Sequence, residues 1–319
     1  MIALTGASGR LGRLVTRMLL ERVDAAGVVA LSRTPQALAG IGVATREVDF
    51  DRPHTLPRAL DGVDRLLLIS TNVLGRRVRQ HDVAVRAAAA AGVGHVLYTS
   101  IARAADDDNP ASVAAAHRAT EGALAASGVP YTVLRNSPYT QLVLMGIETM
   151  LATGTLLDNN GDGATAYVTR EDCAAVAAEV LARGGHRGEV LEVTGPQAHT
   201  QFDIAALISA FSGVPVRYQP ISDEATVADL VAAGMGEPEA REFATIGKAV
   251  RHGYTSLVTD VVERVTGRPA TSVAEFLESR LPGRAERWSP GKRPTAERRA
   301  FQAARTRPGS RRQRPRDAR

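Results

Sequence analysis

At 319 residues, 44% hydrophobic and 23% charged, the chain has the balance of a soluble globular protein able to bury a large core. Its single cysteine, Cys173, excludes an internal disulfide and any cysteine zinc cluster, and suits a reducing cytoplasm. The formal net charge of +5 belongs to one end: thirteen of the 39 Lys and Arg residues and three of the 34 Asp and Glu residues fall in 283–319, so that segment carries +10 and the rest −5.

The first strand begins at Met1, which leaves no room for a signal or transit peptide, and no apolar run approaches the roughly 18 residues that span a bilayer. Met1-Ile2-Ala3-Leu4 feeds into Thr5-Gly6-Ala7-Ser8-Gly9-Arg10-Leu11-Gly12, which reads as strand, phosphate loop and helix start. Glycine serves where a backbone turns tightly and approaches a pyrophosphate, and the helix that follows offers unpaired N–H groups to the anion. Gly6, Ser8, Gly9, Arg10, Leu11 and Gly12 are therefore candidate nucleotide contacts. Leu11, Leu14, Val15, Met18 and Leu19 recur at helical spacing, and Val28–Ser32 supplies a second strand, completing a βαβ-like unit. That strand ends Ser32-Arg33-Thr34 without a carboxylate. An acidic residue there would bind a ribose 2′-hydroxyl and repel a 2′-phosphate, whereas Arg33 can contact phosphate, so the expected cofactor is NADPH.

Further strands are expected at Val43–Val48, Arg65–Ile69, Gly94–Thr99, Thr132–Leu134 and Val190–Val193. Helices are expected at Arg76–Ala91, Ala114–Ser127, Arg170–Arg183, Gln201–Ser212, Asp223–Ala233, Pro238–Ala249 and Ser272–Arg280. The alternation argues for an α/β fold, a doubly wound parallel sheet with helices on both faces, and after Leu134 helices predominate, as in a small cap. One domain over 1–282 is expected: a core of about 1–135 with later returning elements, cap elements mainly within 136–282, and a basic disordered tail at 283–319. The tail carries Pro282, Pro290, Pro294, Pro308 and Pro315 and can touch polyanions weakly; a solvated extension without a specific nucleic-acid partner is the favoured reading.

Ligands in such folds sit in the loops after the strands. Asp49 and Phe50 follow the third strand, and suit an adenine amino group and ring. Ser70, Thr71 and Asn72 follow the fourth and would lie near the cofactor's middle. Ser100 follows the fifth, and Asn136, Ser137, Pro138, Tyr139 and Thr140 follow the sixth.

The glycine loop, Leu66-Leu67-Leu68-Ile69-Ser70, Gln80-His81, Tyr98-Thr99-Ser100, His117-Arg118-Ala119-Thr120-Glu121, Val129-Pro130-Tyr131-Thr132 and Leu134-Arg135-Asn136 together resemble the NmrA-like atypical short-chain dehydrogenases. Within that group the chain is most similar to the bacterial type-2 NAD(P)H:quinone oxidoreductases. The resemblance covers roughly 1–280 and implies a Rossmann-like core, NADPH at the glycine loop and a small C-terminal substrate subdomain. It also implies a cytoplasmic oxidoreductase that passes hydride to a quinone or similar small electrophilic acceptor. The alternative is a non-catalytic NADP(H) sensor acting through a protein partner.

The Tyr-x-x-x-Lys pair of the main short-chain dehydrogenase line is missing, since the lysines, Lys248 and Lys292, do not follow a tyrosine at that spacing. In the plant reductase branch of the family a lysine occupies the helix position that His117 holds here. His117, Asn136 and Tyr139 are therefore the catalytic candidates, His117 as a proton shuttle near neutral pH. His117 and Glu121 are spaced i, i+4, so a hydrogen bond between them is the structural alternative. His81 reads as a packed or exposed helix residue. Where the quinone reductases carry Arg-Asn-Gly-Trp-Tyr followed by a hydroxylated residue and Glu-Asn-Tyr, this chain has Arg135-Asn136-Ser137-Pro138-Tyr139-Thr140-Gln141-Leu142-Val143, so a more aliphatic pocket is expected. No G-x-S-x-G elbow surrounds Ser100, and the seven histidines show no paired helical ligand motif, so neither hydrolysis nor a metal site is expected.

Overall fold

The computed structural model describes residues 1–73 and 75–281; the basic segment 283–319, expected to be disordered, lies outside the described residues. Seven parallel strands form one sheet: β1 (Ile2–Leu4), β2 (Val28–Ser32), β3 (Ala44–Glu47), β4 (Arg65–Leu68), β5 (His95–Ile101), β6 (Tyr131–Asn136) and β9 (Val190–Val193). Their order is β3-β2-β1-β4-β5-β6-β9, so β1 lies between β2 and β4 and the winding direction reverses beside it.

The run Leu66-Leu67-Leu68 shows why both faces are covered. Leu67 joins Leu4, Leu97 and Leu134 on one face, while Leu66 and Leu68 join Ala3, Val29 and Val133 on the other, as the two-residue period of a strand requires. The first face is closed by α1 (Arg10–Leu20) and α6 (Arg170–Arg183), which pack on each other, with α10 (Val261–Thr266) against α6. The second is covered by α2 (Leu56–Leu60), α3 (Arg77–Ala90) and α4 (Ser112–Ala126). Each βα crossover returns the chain to the same edge of the sheet, where the cleft forms.

The C-terminal part has a core of its own around Leu156, Tyr167, Ile204, Ile208, Phe276 and Leu277. It contains α5 (Ile147–Thr153), α7 (Gln201–Ser212), α8 (Asp223–Ala232), α9 (Glu237–Arg251) and α11 (Val273–Arg280). Two small sheets were not anticipated: β7 (Thr155–Asp158) pairs in parallel with β11 (Arg217–Pro220), and β8 (Ala164–Thr165) pairs antiparallel with β10 (His199–Thr200). The two-residue strands β8 and β10 complete too few periods to register in a sequence pattern, and the same holds for the short α2, α5 and α10.

Candidate nucleotide and acceptor site

The cleft begins where β1 and β4 end. The Thr5 amide donates to the Leu67 carbonyl at 2.9 Å, and the Ile69 amide donates to Thr5 Oγ1 at 3.0 Å. The glycine loop and the β4–α3 loop therefore rise side by side. Gly6 has a positive φ of 62°, a conformation that is strained for residues with a Cβ. A Cβ on Gly12 would come within 2.3 Å of the Gly6 carbonyl oxygen, so α1 can start this close to the loop only with glycine there. Gly9 caps α1 without a side chain and the first turn holds no acid. No acceptor among the described residues takes the N–H groups of Arg10, Leu11 and Gly12. This is a cradle of donors at the positive end of a helix, suited to a phosphate.

Beside it, Ser8 Oγ and Ser32 Oγ lie 3.3 Å apart and the Thr34 amide donates to Ser32 Oγ at 3.1 Å. Arg13, which the sequence reading passed over, braces the corner through Nε to the Ser8 carbonyl at 3.1 Å and Nη2 to the Ala37 carbonyl at 2.8 Å. Arg33 is exposed at the end of β2 and makes no ion pair among the described residues. Its unengaged guanidinium is what a 2′-phosphate needs. Asp49 accepts from the Asp51 amide and from Arg52 Nε, both at 3.0 Å. Burial raises its pKa, but these bonds and the nearby Arg52 and Arg33 charges outweigh that and hold the carboxyl below its ordinary range. Phe50 is half-buried against the second-face core.

In the middle of the cleft the β4–α3 loop is bolted from both sides of one residue. The Thr71 amide donates to His81 Nε2 at 3.0 Å, while Arg77 Nε donates to the Thr71 carbonyl at 2.6 Å. The Ser70 amide donates to Thr99 Oγ1 at 2.9 Å, and Asn72 is exposed. His81 is thus packed, and burial foremost, with Arg77 second, pushes its pKa down to about 4. A cavity of about 420 Å3 adjoins this loop, lined by Val73, Arg77, Val78, Ser112, Ala116 and Thr245 among others, so α9 of the C-terminal part forms one wall. A larger depression of about 590 Å3 beside β3 is lined by Ala, Pro, Leu, Gly, Ile, Val and Thr alone; it lacks charged groups to orient a nucleotide.

The position of His117 tells against the shuttle reading. Ala114, His117, Thr120 and Leu124 form the buried face of α4, so the ring points at the sheet and is only 3% exposed. Its Nδ1 lies 2.7 Å from the Tyr98 hydroxyl. Burial, then the Arg77 charge and His81, push its pKa down to about 3, which disfavours the imidazolium that a shuttle near neutral pH would form. The alternative bond to Glu121 is absent as well. Glu121 instead accepts from Ser100 Oγ at 2.6 Å and from Arg135 Nη2 at 2.6 Å, and Arg135 Nη1 reaches Glu192 at 3.0 Å. One guanidinium thereby holds two nearly buried carboxylates.

At the end of β6, Asn136 Nδ2 donates to the Tyr139 hydroxyl at 3.4 Å, while Asn136 Oδ1, Ser137 Oγ and Thr140 Oγ1 are buried without a partner. Unpaired buried polar atoms are costly, so these three set the end of β6 apart from the rest of the core. Tyr139 is enclosed, and burial raises its phenol above the ordinary value. The expected aliphatic pocket is corrected in part. Leu142 is exposed, but Val143 packs in the C-terminal core, and Gln141 turns away to donate to Glu171 at 2.6 Å. Arg170, missed in the sequence, opens α6 with its guanidinium 4.9 Å above the Tyr139 ring centroid. The available signal was an arginine at a helix N-terminus, where the dipole disfavours cations.

A family model described as NAD(P)H-binding matches residues 6–183. The chain belongs to that NAD(P)H-binding family. Quinone oxidoreductase 2 of Escherichia coli is 38% identical over 280 residues, covering 87% of this chain and 97% of that protein. Its crystal structure with NADPH superposes with a TM-score of 0.83 over 88% of this chain and 99% of that one. An NAD(P)H azoreductase of Xenophilus azovorans is 32% identical over 281 residues, covering 88% of this chain and 97% of its own. Citrobacter sp. triphenylmethane reductase with NADP(H) superposes with a TM-score of 0.83 at 35% identity, over 88% of this chain and all of that one. The NmrA-like resemblance and the expected Rossmann-like sheet are borne out, and the protein is an NAD(P)H-dependent oxidoreductase.

Proposed function

We propose that the protein transfers hydride from NADPH to a quinone or similarly electrophilic small acceptor. One observation carries this reading: among the described residues, the β5–β6 end of the cleft offers no side chain poised to give a proton near neutrality. His117 is neutral and engaged with Tyr98, and burial holds the Tyr139 proton tightly. NADPH supplies the hydride when bound. A conjugated quinone accepts hydride without prior protonation, and the resulting oxyanion takes its proton from water, whereas a simple ketone needs an acid.

On this reading the glycine loop and Arg10 hold the phosphates, and Arg33 contacts the 2′-phosphate. Asp49 and Phe50 flank the adenine, and Ser70, Thr71 and Asn72 line the middle. Asn136, through its free Oδ1, accepts from the nicotinamide amide. The acceptor enters over the β4–α3 loop through the cavity beside Arg77. The named substrates of the relatives, quinones, azo compounds and triphenylmethane dyes, support the class because all are conjugated acceptors. The lone, buried Cys173 supports a reducing compartment, the cytoplasm.

The test is steady-state NADPH oxidation with benzoquinones, naphthoquinones, an azo dye and a simple ketone. Turnover of the quinones without turnover of the ketone is the expected result. Comparable ketone reduction would overturn the proton-donor argument. Stoichiometric NADPH binding with no consumption by any acceptor would replace the enzyme with a cofactor sensor.

A further inference from the structure

We propose that Arg170 is a second cationic ligand of the bound dinucleotide's diphosphate, opposite Arg10, and that Tyr139 is the platform that positions it. The inference rests on NADPH binding at the glycine loop, and assigns a residue from outside that loop to its phosphates.

Arg10 is the first residue of α1 and Arg170 the first residue of α6, and these helices pack side by side on one face of the sheet. Both begin at the cleft edge. Two guanidiniums therefore stand at two neighbouring helix N-termini, where the dipoles are already positive. Arg170, half-buried, is destabilised as a cation first by its burial and then by the Arg10 charge.

The local carboxylates relieve this only in part, since Glu171 favours the Arg170 charge but is outweighed by burial and by Arg10. Glu171 accepts from Gln141, and Asp172 is taken by Thr169, by the Thr271 amide and by Arg268 at 2.7 Å. Arg10 makes no ion pair among the described residues, and the Tyr139 ring centroid lies 4.9 Å from the Arg170 guanidinium. A diphosphate bound at the row of unpaired N–H groups would bring two negative charges to offset both cations.

Tyr139 then acts through its ring. Its hydroxyl accepts from Asn136 Nδ2, its far face packs in the core beside Cys173, and its near face carries the guanidinium. A cation over an aromatic face is held in a narrow range of positions. Tyr139 is a positioning residue for a phosphate ligand, and the chain Asn136, Tyr139, Arg170 links the nicotinamide end of the cleft to the phosphate end.

Isothermal titration of the full-length protein separates the parts of the ligand. ADP-ribose carries the diphosphate without the 2′-phosphate or nicotinamide; adenosine 2′-phosphate carries the reverse phosphate set. Arg170→Met should raise the Kd of NADPH, NADH and ADP-ribose by similar factors, about tenfold or more, and leave adenosine 2′-phosphate unchanged. Tyr139→Leu should reproduce most of that loss, and Tyr139→Phe, which keeps the ring, should restore the affinity. An Arg170→Met variant that binds ADP-ribose like the parent overturns the proposal, as does a parallel loss for adenosine 2′-phosphate, which would mean general loosening. A Tyr139→Phe variant as weak as Tyr139→Leu overturns the platform role. Failure of the unaltered protein to bind NADPH would instead overturn the cofactor assignment.

Discussion

At the β1–α1 corner the groups that face a ligand are main-chain N–H groups shaped by Gly6 and Gly12, whereas at the β5–β6 end they are side chains of residues that also belong to the core. The first arrangement depends on neighbours in sequence. The second depends on what α3, α4, α6 and β9 bring together, as Arg135 shows by joining Glu121 of α4 to Glu192 of β9. Loss of a glycine should therefore damage the corner locally, while loss of a buried polar partner should destabilise the whole domain.

The sharpest break of that contrast is Arg135→Met, which leaves two carboxylates enclosed without a cation. The expected cost is about 3–5 kcal/mol at neutral pH, read by urea unfolding. Burial already raises the pKa of Glu192 and Arg135 opposes it, so without Arg135 the carboxyl protonates more readily. The destabilisation should be smaller at pH 5 than at pH 7.5, and an equal loss at both would mean that the network is solvated.

The buried histidines test the same end of the molecule by pH alone. His81 and His117 have their pKa values depressed to about 4 and about 3, against 6.5 when exposed. The unfolded chain takes up these protons first as pH falls. The stability due to the neutral rings is complete above about pH 6.5 and is lost as pH falls toward their folded values, by about 1.4 kcal/mol per pH unit for each ring. Unfolding free energies that stay flat between pH 7 and 5 would show that both rings reach solvent.

At the other end, Arg33→Ala should raise the KM for NADPH about ten- to hundredfold and leave NADH nearly unaffected. Equal losses with the two cofactors would remove the 2′-phosphate role. Gly12→Ala should cost about 1–3 kcal/mol of stability, because backbone must move to admit the methyl group, and should weaken NADPH and NADH together. The smallest effect on turnover is expected from His117→Asn. A general acid contributes about a hundredfold or more to rate, so a kcat changed by less than about threefold with an unaltered pH profile confirms the buried role, and a hundredfold loss refutes it.

Much of the fold was legible because its signals are local. The strand at Ile2–Leu4, the glycine spacing and the inward face of α1 lie within twenty residues, and the seven sheet strands each stand close to a run visible in the sequence. The candidate site was legible where backbone conformation carries it, as at Gly6. It was misread where a side chain's partner lies far along the chain. His117 looked available because it stands where the plant reductase branch carries a lysine, yet it is buried against Tyr98 on β5. The spacing Ala114, His117, Thr120, Leu124 held the clue, since it marks an inward helical face. Arg170 was passed over for the same reason, as its relation to Arg10 exists only once α1 and α6 pack.

By itself the sequence determined a nucleotide loop and the parallel sheet behind it, because glycine conformation, unpaired helix amides and apolar periodicity act over a few neighbouring residues. Only the tertiary structure decided which polar side chains face the cleft and which are sealed in the core. Burial, shared partners and the summed charge of two helix ends arise from packing between elements more than a hundred residues apart, and they turned His117 into a structural residue and Arg170 into a candidate phosphate ligand.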